Sequence, residues 1–197
     1  MVVKSKSRRQ FLKFIVSSLS IVGALFAFWP FVKSMQPGKK AQSASAPISV
    51  DIKNLLPNEK ITVTWQGMPI YIIRRTKNQI AELEKSYPHL RDPNSLYSRQ
   101  PDKTGNDFRS INKDIFVVVA ICTHLGCSPT YKPEQASVDK DWEGGFFCAC
   151  HGSKFDLAGR VFKKVPAPTN LMVPPYYFSN KDTIVIGADK PGDERYV

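Results

Sequence analysis

Outside two stretches of six residues the chain has no cysteine, and it has only three histidines in 197 residues. A disulfide framework spread through the fold is thereby excluded, as is a cysteine-built metal site anywhere else. Acidic residues are missing before Pro47, where eight Lys/Arg stand alone; from Pro47 onward 20 Lys/Arg face 17 Asp/Glu. The net charge of +11 therefore belongs mainly to the N-terminus. With no basic-aromatic groove elsewhere, no nucleic-acid partner is expected. There is no internal repeat, and only one long apolar run. Fifteen prolines argue against long helices through most of the chain. Its length suits one ordinary domain with appendages.

What is present begins at the N-terminus. Residues 7–13 read "SRRQFLK", which closely matches a twin-arginine export signal, the address of a cargo exported already folded. The uncharged run "FIVSSLSIVGALFAFWPFV" follows at 14–32. As a helix it would span about 28 Å, close to the roughly 30 Å hydrocarbon core of a bilayer. Pro30 stands near its outer end, and Trp29 belongs at the interface. "ASAP" at 44–47 resembles a signal-peptidase site, but it lies far beyond the apolar run and Pro47 would block the cut. An uncleaved anchor is the reading, with residues 1–13 cytoplasmic, 14–32 in the membrane and the bulk outside. A flexible hinge of 33–46 follows; its stretch 35–46, "MQPGKKAQSASA", has nothing apolar enough to bury and reads as a solvated tether.

From 47 to 197 the chain reads as a mainly β head of antiparallel strands with one helix–loop insertion. "ITVTW" and "IYIIR" flank the turn-like "QGMP"; "YYF" and "TIVIG" flank "SNKD" as a closing hairpin. "DIFVVVAI" at 114–121 reads as a buried strand that delivers Cys122 to a loop, and "GGFF" delivers Cys148. One helix is signalled at Thr76, where Thr76 and Gln79 have capping-box spacing and Ile80, Leu83 and Tyr87 share a face. Residues 88–110 read as a loop excursion, with His89 assigned no role.

The chemistry lies in "CTHLGC" at 122–127 and "CACHGS" at 148–153, which hold all four cysteines and two of the three histidines. Zinc could be held by Cys122, His124, Cys148 and His151. A cysteine nucleophile would leave the likeness of the two loops unexplained. Disulfides alone would not explain the histidines. An iron–sulfur centre with two cysteines on one iron and two histidines on the other uses one thiolate and one imidazole from each loop. It leaves Cys127 and Cys150 free to join the loops, a bond that persists in an exported protein.

These loops resemble the cluster-binding loops of the Rieske iron–sulfur proteins of cytochrome bc complexes. The likeness extends over nearly the whole chain, through the signal-anchor, the hinge, "RRT" at 74–76, "LRDP" at 90–93 and "VPAP" at 165–168. It implies a Rieske [2Fe-2S] cluster with Cys122 and Cys148 on one iron and His124 and His151 on the other. It further implies a Cys127–Cys150 disulfide, a cluster-covering proline loop at Pro166-Ala167-Pro168, and a Ser153 hydrogen bond to a cluster sulfide. Leu125 would form an exposed docking tip, while Gly126 and Gly152 supply tight turns beside the ligands.

The resemblance implies a catalytic subunit that takes an electron and a proton from quinol, with His151 in contact and His124 beside it. The electron would pass to a cytochrome c-type subunit, and cytochrome b would share the quinol site. Expected surroundings are a dimeric complex in the bacterial inner membrane, the N-terminus cytoplasmic and the head periplasmic. Three residues depart from the pattern: Phe155 stands for a usual tyrosine, Ala149 for proline and Val165 for glycine. None is a ligand, so they bear on the potential rather than the cofactor. Alternatives are the Rieske subunit of another periplasmic oxidoreductase and a zinc-stabilised binding module.

Overall fold

The computed structural model describes residues 6–36, 38, 46–85 and 88–192. Most of the 35–46 tether and Tyr87 of the expected helix face lie outside the described residues. Two compact units emerge, Met1–Ser43 and Ala44–Val197.

The first unit contains one helix, α1, Lys6–Ser34. It extends beyond the apolar run at both ends and continues through Pro30. Its apolar side chains point outward all round, Phe14 being 71% and Phe26 76% exposed, and the span Ser7–Ser34 contains an 18-residue window with a mean hydropathy of 2.0. Water does not tolerate such a surface on a lone helix, whereas a bilayer does.

The second unit is built from three antiparallel three-stranded sheets. In chain order the strands are β1 Ile48–Asp51, β2 Lys60–Trp65, β3 Met68–Arg74, β4 Ile115–Val119 and β5 Thr130–Lys132. They continue with β6 Gly145–Cys148, β7 Ser153–Phe155, β8 Tyr176–Asn180 and β9 Thr183–Ile186. The sheets run β1-β9-β8, β2-β3-β4 and β5-β6-β7. The β2–β3 turn is tighter than "QGMP" suggests. Trp65 already pairs with Met68, so only Gln66 and Gly67 are left, both at positive φ (52° and 74°). That geometry matches the right-handed twist of the flanking strands.

Strand β4 is buried at all five positions, as its unbroken apolar sequence requires. Its core continues through Phe146, Phe155, Val161, Leu171 and Tyr176, and also includes Cys122 and Cys148. Removing a ring such as Phe146, which is fully buried, typically costs about 3–5 kcal/mol. The two thiols are thus part of the main core.

Helix α2, Lys77–Leu83, starts as its sequence indicates: Thr76 Oγ1 accepts from Gln79 N, and Gln79 Oε1 accepts from Thr76 N. It buries Gln79, Ile80 and Leu83 and is only seven residues long. The excursion at 88–110 is pinned rather than loose. The Asp92 carboxylate accepts from Leu96 N, Tyr97 N and Ser98 Oγ, and Leu90 bridges to Phe162. Arg109, fully buried, donates to the carbonyls of Ala158, Gly159 and Leu171. Arg75 of the "RRT" stretch donates to the carbonyls of Phe108, Lys113 and Leu157, and its guanidinium lies 4.4 Å above the Phe116 ring. Burial pushes both guanidinium groups down to about 10, with Asp156 opposing, so both stay charged at neutral pH. Each replaces water for several otherwise orphaned carbonyls.

Candidate metal centre

Two loops of similar construction form the site. The first leaves the end of β4 and the second is the β6–β7 connection, where Cys148 pairs with Ser153 across a four-residue turn. In each, a glycine N–H closes back on the carbonyl of the cysteine four residues earlier: Gly126 to Cys122 at 3.0 Å and Gly152 to Cys148 at 2.9 Å. Both glycines have positive φ (87° and 75°), and a Cβ on either would meet nothing within 4 Å. Glycine is therefore required there by backbone conformation and not by crowding.

The cysteines divide into two kinds. Cys127 and Cys150 form a disulfide, and Cys122 and Cys148 are free and buried, at 2% and 1% exposure. The sulfurs of Cys127, Cys148 and Cys150 lie within 4.8 Å of one another. As two of these are bonded together, the trio is a disulfide beside a free thiol and not a three-thiolate site. Burial, with the Cys122 sulfur next to it, holds the Cys148 thiol above the usual cysteine range. A cation between two such thiols reverses that preference and favours thiolate on both.

The histidine rings meet edge to face, centroids 4.7 Å apart and planes at 89°. His124 is half-buried and His151 exposed. The Nδ1 of His124 is buried with no hydrogen-bond partner among the described residues. Leaving such a nitrogen unmatched costs about 1–3 kcal/mol, a cost that ligation to a metal removes. Two buried thiols, two adjoining imidazoles and an orphaned ring nitrogen suit a mixed sulfur–nitrogen cofactor.

Comparison with known proteins places the chain in a family. Residues 48–176 match the family described as the Rieske [2Fe-2S] domain. The chain belongs to the Rieske iron–sulfur family. Residues 3–38 match a further family, described as the ubiquitinol-cytochrome C reductase Fe-S subunit TAT signal. The chain is similar to the ubiquinol-cytochrome c reductase iron-sulfur subunit of Allochromatium vinosum, 47% identical over 188 residues, covering 94% of this chain and 91% of that one. It is also 40% identical to the subunit of the same name from Bradyrhizobium diazoefficiens, covering 92% of this chain and 94% of that one. A solved chain from a hyperthermophilic respiratory complex III aligns at 25% identity with a TM-score of 0.46, covering 87% of this chain and 98% of that one.

The cofactor of this Rieske chain is a [2Fe-2S] cluster. Around its candidate site the remaining sequence-predicted residues fall as follows. Ser153 is fully buried, and its Oγ accepts from Ala167 N at 3.1 Å. Leu125 is 72% exposed at the tip of the first loop. Pro166 is exposed while Ala167, between the two prolines, is fully buried. Phe155 is fully buried in the core that also holds both free thiols. Ala149 is exposed in the second loop and Val165 half-buried at the start of the proline segment, so neither fills a ligand position. His89 lies against Phe162, centroids 4.6 Å apart.

Two residues escaped the sequence reading. Thr123 Oγ1 donates to Thr169 O at 2.7 Å, tying the first loop to the proline segment. Arg91 donates to the carbonyls of Val165, Ala167 and Pro168. The only sequence signal for Arg91 was the stretch "LRDP", which says nothing about what its side chain reaches.

The segment between the loops is held by Trp142, 2% exposed, whose Nε1 donates to Lys132 O. An ion pair from Lys154 to Asp139 ties that segment to β7.

Proposed function

We propose that this chain holds its cluster with Cys122 and Cys148 on one iron and His124 and His151 on the other. It works as the iron–sulfur subunit of a quinol–cytochrome c reductase. The observation that carries this is the division of the sulfurs: two cysteines are spent on a disulfide across the loops, and two buried thiols remain beside a pair of imidazoles. A four-cysteine cluster has no sulfurs left for it, and a Rieske donor set has the sulfurs and nitrogens it needs.

When bound, the cluster takes up and releases one electron at a time. The chain's own residues supply the rest. His151, the exposed imidazole, accepts a hydrogen bond from a quinol hydroxyl and then its proton as the electron departs. His124 is held more deeply, its Nδ1 directed to ligation. Cys122 and Cys148 keep water from the sulfur side through burial. The Ser153 hydroxyl accepts from Ala167 N and offers its own proton to a cluster sulfide. Leu125 and Pro166 present apolar surface for docking on cytochrome b, and the same exposed end is offered to the cytochrome c-type subunit.

The chain is a membrane-anchored respiratory subunit. Its N-terminal basic residues, in a stretch that has no acidic residue before Pro47, favour a cytoplasmic N-terminus at the inner membrane, with the head in the periplasm. A twin-arginine signal fits a head that is folded around its cluster before export. Segment 35–46, small and polar, serves as the tether that lets one head serve two partners.

The test is made in membranes from cells lacking the chain. Quinol-driven reduction of cytochrome c should vanish and return when the full chain is restored. An undiminished rate without the chain would remove it from that reaction.

A further inference from the structure

The segment Pro166-Ala167-Pro168 has a single backbone N–H, that of Ala167, because proline carries none. That one donor goes to Ser153 Oγ, 3.1 Å away. Three of the surrounding carbonyls, those of Val165, Ala167 and Pro168, turn to a different partner. Arg91 Nη2 donates to Val165 O at 3.1 Å, and Nη1 to Ala167 O at 3.1 Å and Pro168 O at 3.4 Å. The Arg91 backbone is itself fixed, its N–H bonded to Val161 O at 2.9 Å and its neighbour Leu90 bridged to Phe162. On the other side, Asn170 Nδ2 binds Asp92 O at 2.9 Å, so 90–92 and 165–170 are clamped together at several points.

Three carbonyl dipoles aimed at one place need a cation with several donors in a plane, which a guanidinium supplies and an ammonium does not. No carboxylate forms an ion pair with Arg91 among the described residues. Its charge is therefore left to the carbonyls and to water.

Ser153 is fully buried, and its hydroxyl oxygen is already occupied as an acceptor. Its proton has no acceptor among the described residues. With Ala167 N–H fixed on one lone pair, rotation of the hydroxyl is restricted, and the proton is kept facing away from the proline segment.

We propose that Arg91 is a positioning residue for the Ser153 hydroxyl. By gathering the carbonyls of Val165, Ala167 and Pro168 it orients the Ala167 N–H, and through that bond it commits the Ser153 proton to the cluster. This rests on the reading that the Ser153 proton meets a cluster sulfide. A hydrogen bond to a sulfide favours the more electron-rich reduced state, so Arg91 raises the reduction potential without touching the cluster.

The experiment is an EPR-monitored redox titration of the full chain in its membrane, comparing wild type, Arg91→Gln, Arg91→Lys, Ser153→Ala and the double variant Arg91→Gln/Ser153→Ala. Arg91→Gln should shift the midpoint potential downward, and Arg91→Lys should shift it less far in the same direction. Ser153→Ala should also lower it, and adding Arg91→Gln to Ser153→Ala should lower it no further. Should Arg91→Gln fail to load its cluster, Arg91→Lys carries the test, since it keeps the charge. A wild-type potential in whichever of the two loads overturns the proposal. So does an undiminished Arg91→Gln shift in the Ser153→Ala background, or full recovery with lysine, since either means the charge acts directly. A wild-type potential in Ser153→Ala instead overturns the reading of Ser153, and the proposal falls with it.

Discussion

The ring of His124 meets the ring of His151 edge to face, with centroids 4.7 Å apart. The two come from loops separated by all of β5 and β6, and the Cys127–Cys150 bond cross-links those loops. That bond ties together the two loops that carry the imidazoles.

Cys127→Ser should therefore loosen the loops while leaving two thiols and two imidazoles in place. The disulfide closes a sequence separation of 23 residues, for which chain-entropy reasoning gives about 3 kcal/mol. Denaturant unfolding of the full chain should show a loss of that order, with a broadened but present EPR signal. Unchanged stability would mean the loops are held by their backbone turns alone.

Phe155→Tyr probes the departure from the family pattern. Phe155 is fully buried in the core shared with Cys122 and Cys148. A hydroxyl added there that reaches a ligand sulfur contributes roughly 0.5–1.5 kcal/mol, or roughly 20–65 mV at about 59 mV per 1.4 kcal/mol for one electron. Voltammetry should show the potential rising by that amount. A fall in stability with no rise in potential would show that the new hydroxyl found no partner.

How much of this was legible in the sequence depended on the range of each signal. The β2–β3 hairpin, buried β4 and the Thr76–Gln79 cap were readable because period, apolar continuity and cap spacing are local. The two candidate loops were readable because cysteine and histidine are scarce enough that twelve residues hold nearly all of them. The helix after Thr76 stops at Leu83 with no breaker there to mark its end, and Tyr87 of the expected face lies outside the described residues. The excursion at 88–110 looked loose because Pro, Asp, Asn and Ser advertise turns. What they do not advertise is Asp92 collecting three donors or Arg109 reaching carbonyls some fifty residues away. Contacts between side chain and distant backbone leave no periodic trace, and Arg91 was missed for the same reason.

Alkaline pH should weaken the head through its buried tyrosines. Burial pushes Tyr176 up to about 12 from an ordinary value of 10.0, and Tyr131 likewise. The folded state then holds these protons more tightly than the unfolded one. Their contribution is complete below pH 10 and is lost as pH rises through about 12. Arg75 and Arg109, pushed down by burial, act in the opposite sense, so the useful quantity is the difference between two chains. Tyr176→Phe should start less stable at neutral pH, since Ile111 N loses the hydroxyl that accepts it, and should lose less between pH 10 and 12. Parallel losses of stability in the two chains across that range would show that folding does not raise the Tyr176 pKa.

Stiffening the tether separates chemistry from delivery. Replacing 35–46 with a proline run should slow quinol–cytochrome c turnover severalfold while the EPR spectrum stays as it was. Full turnover with a rigid tether would mean that one fixed placement of the head serves both partners.

The ligand assignment is tested most directly by labelling histidine with ¹⁵N in the full chain and recording pulsed EPR on the reduced cluster. Two nitrogens with strong, inequivalent couplings are expected, and they should persist in His89→Gln because His89 lies against Phe162 and not in the loops. A reduced cluster with no strongly coupled nitrogen would instead place all four cysteines on iron, and His124 and His151 would not be its ligands.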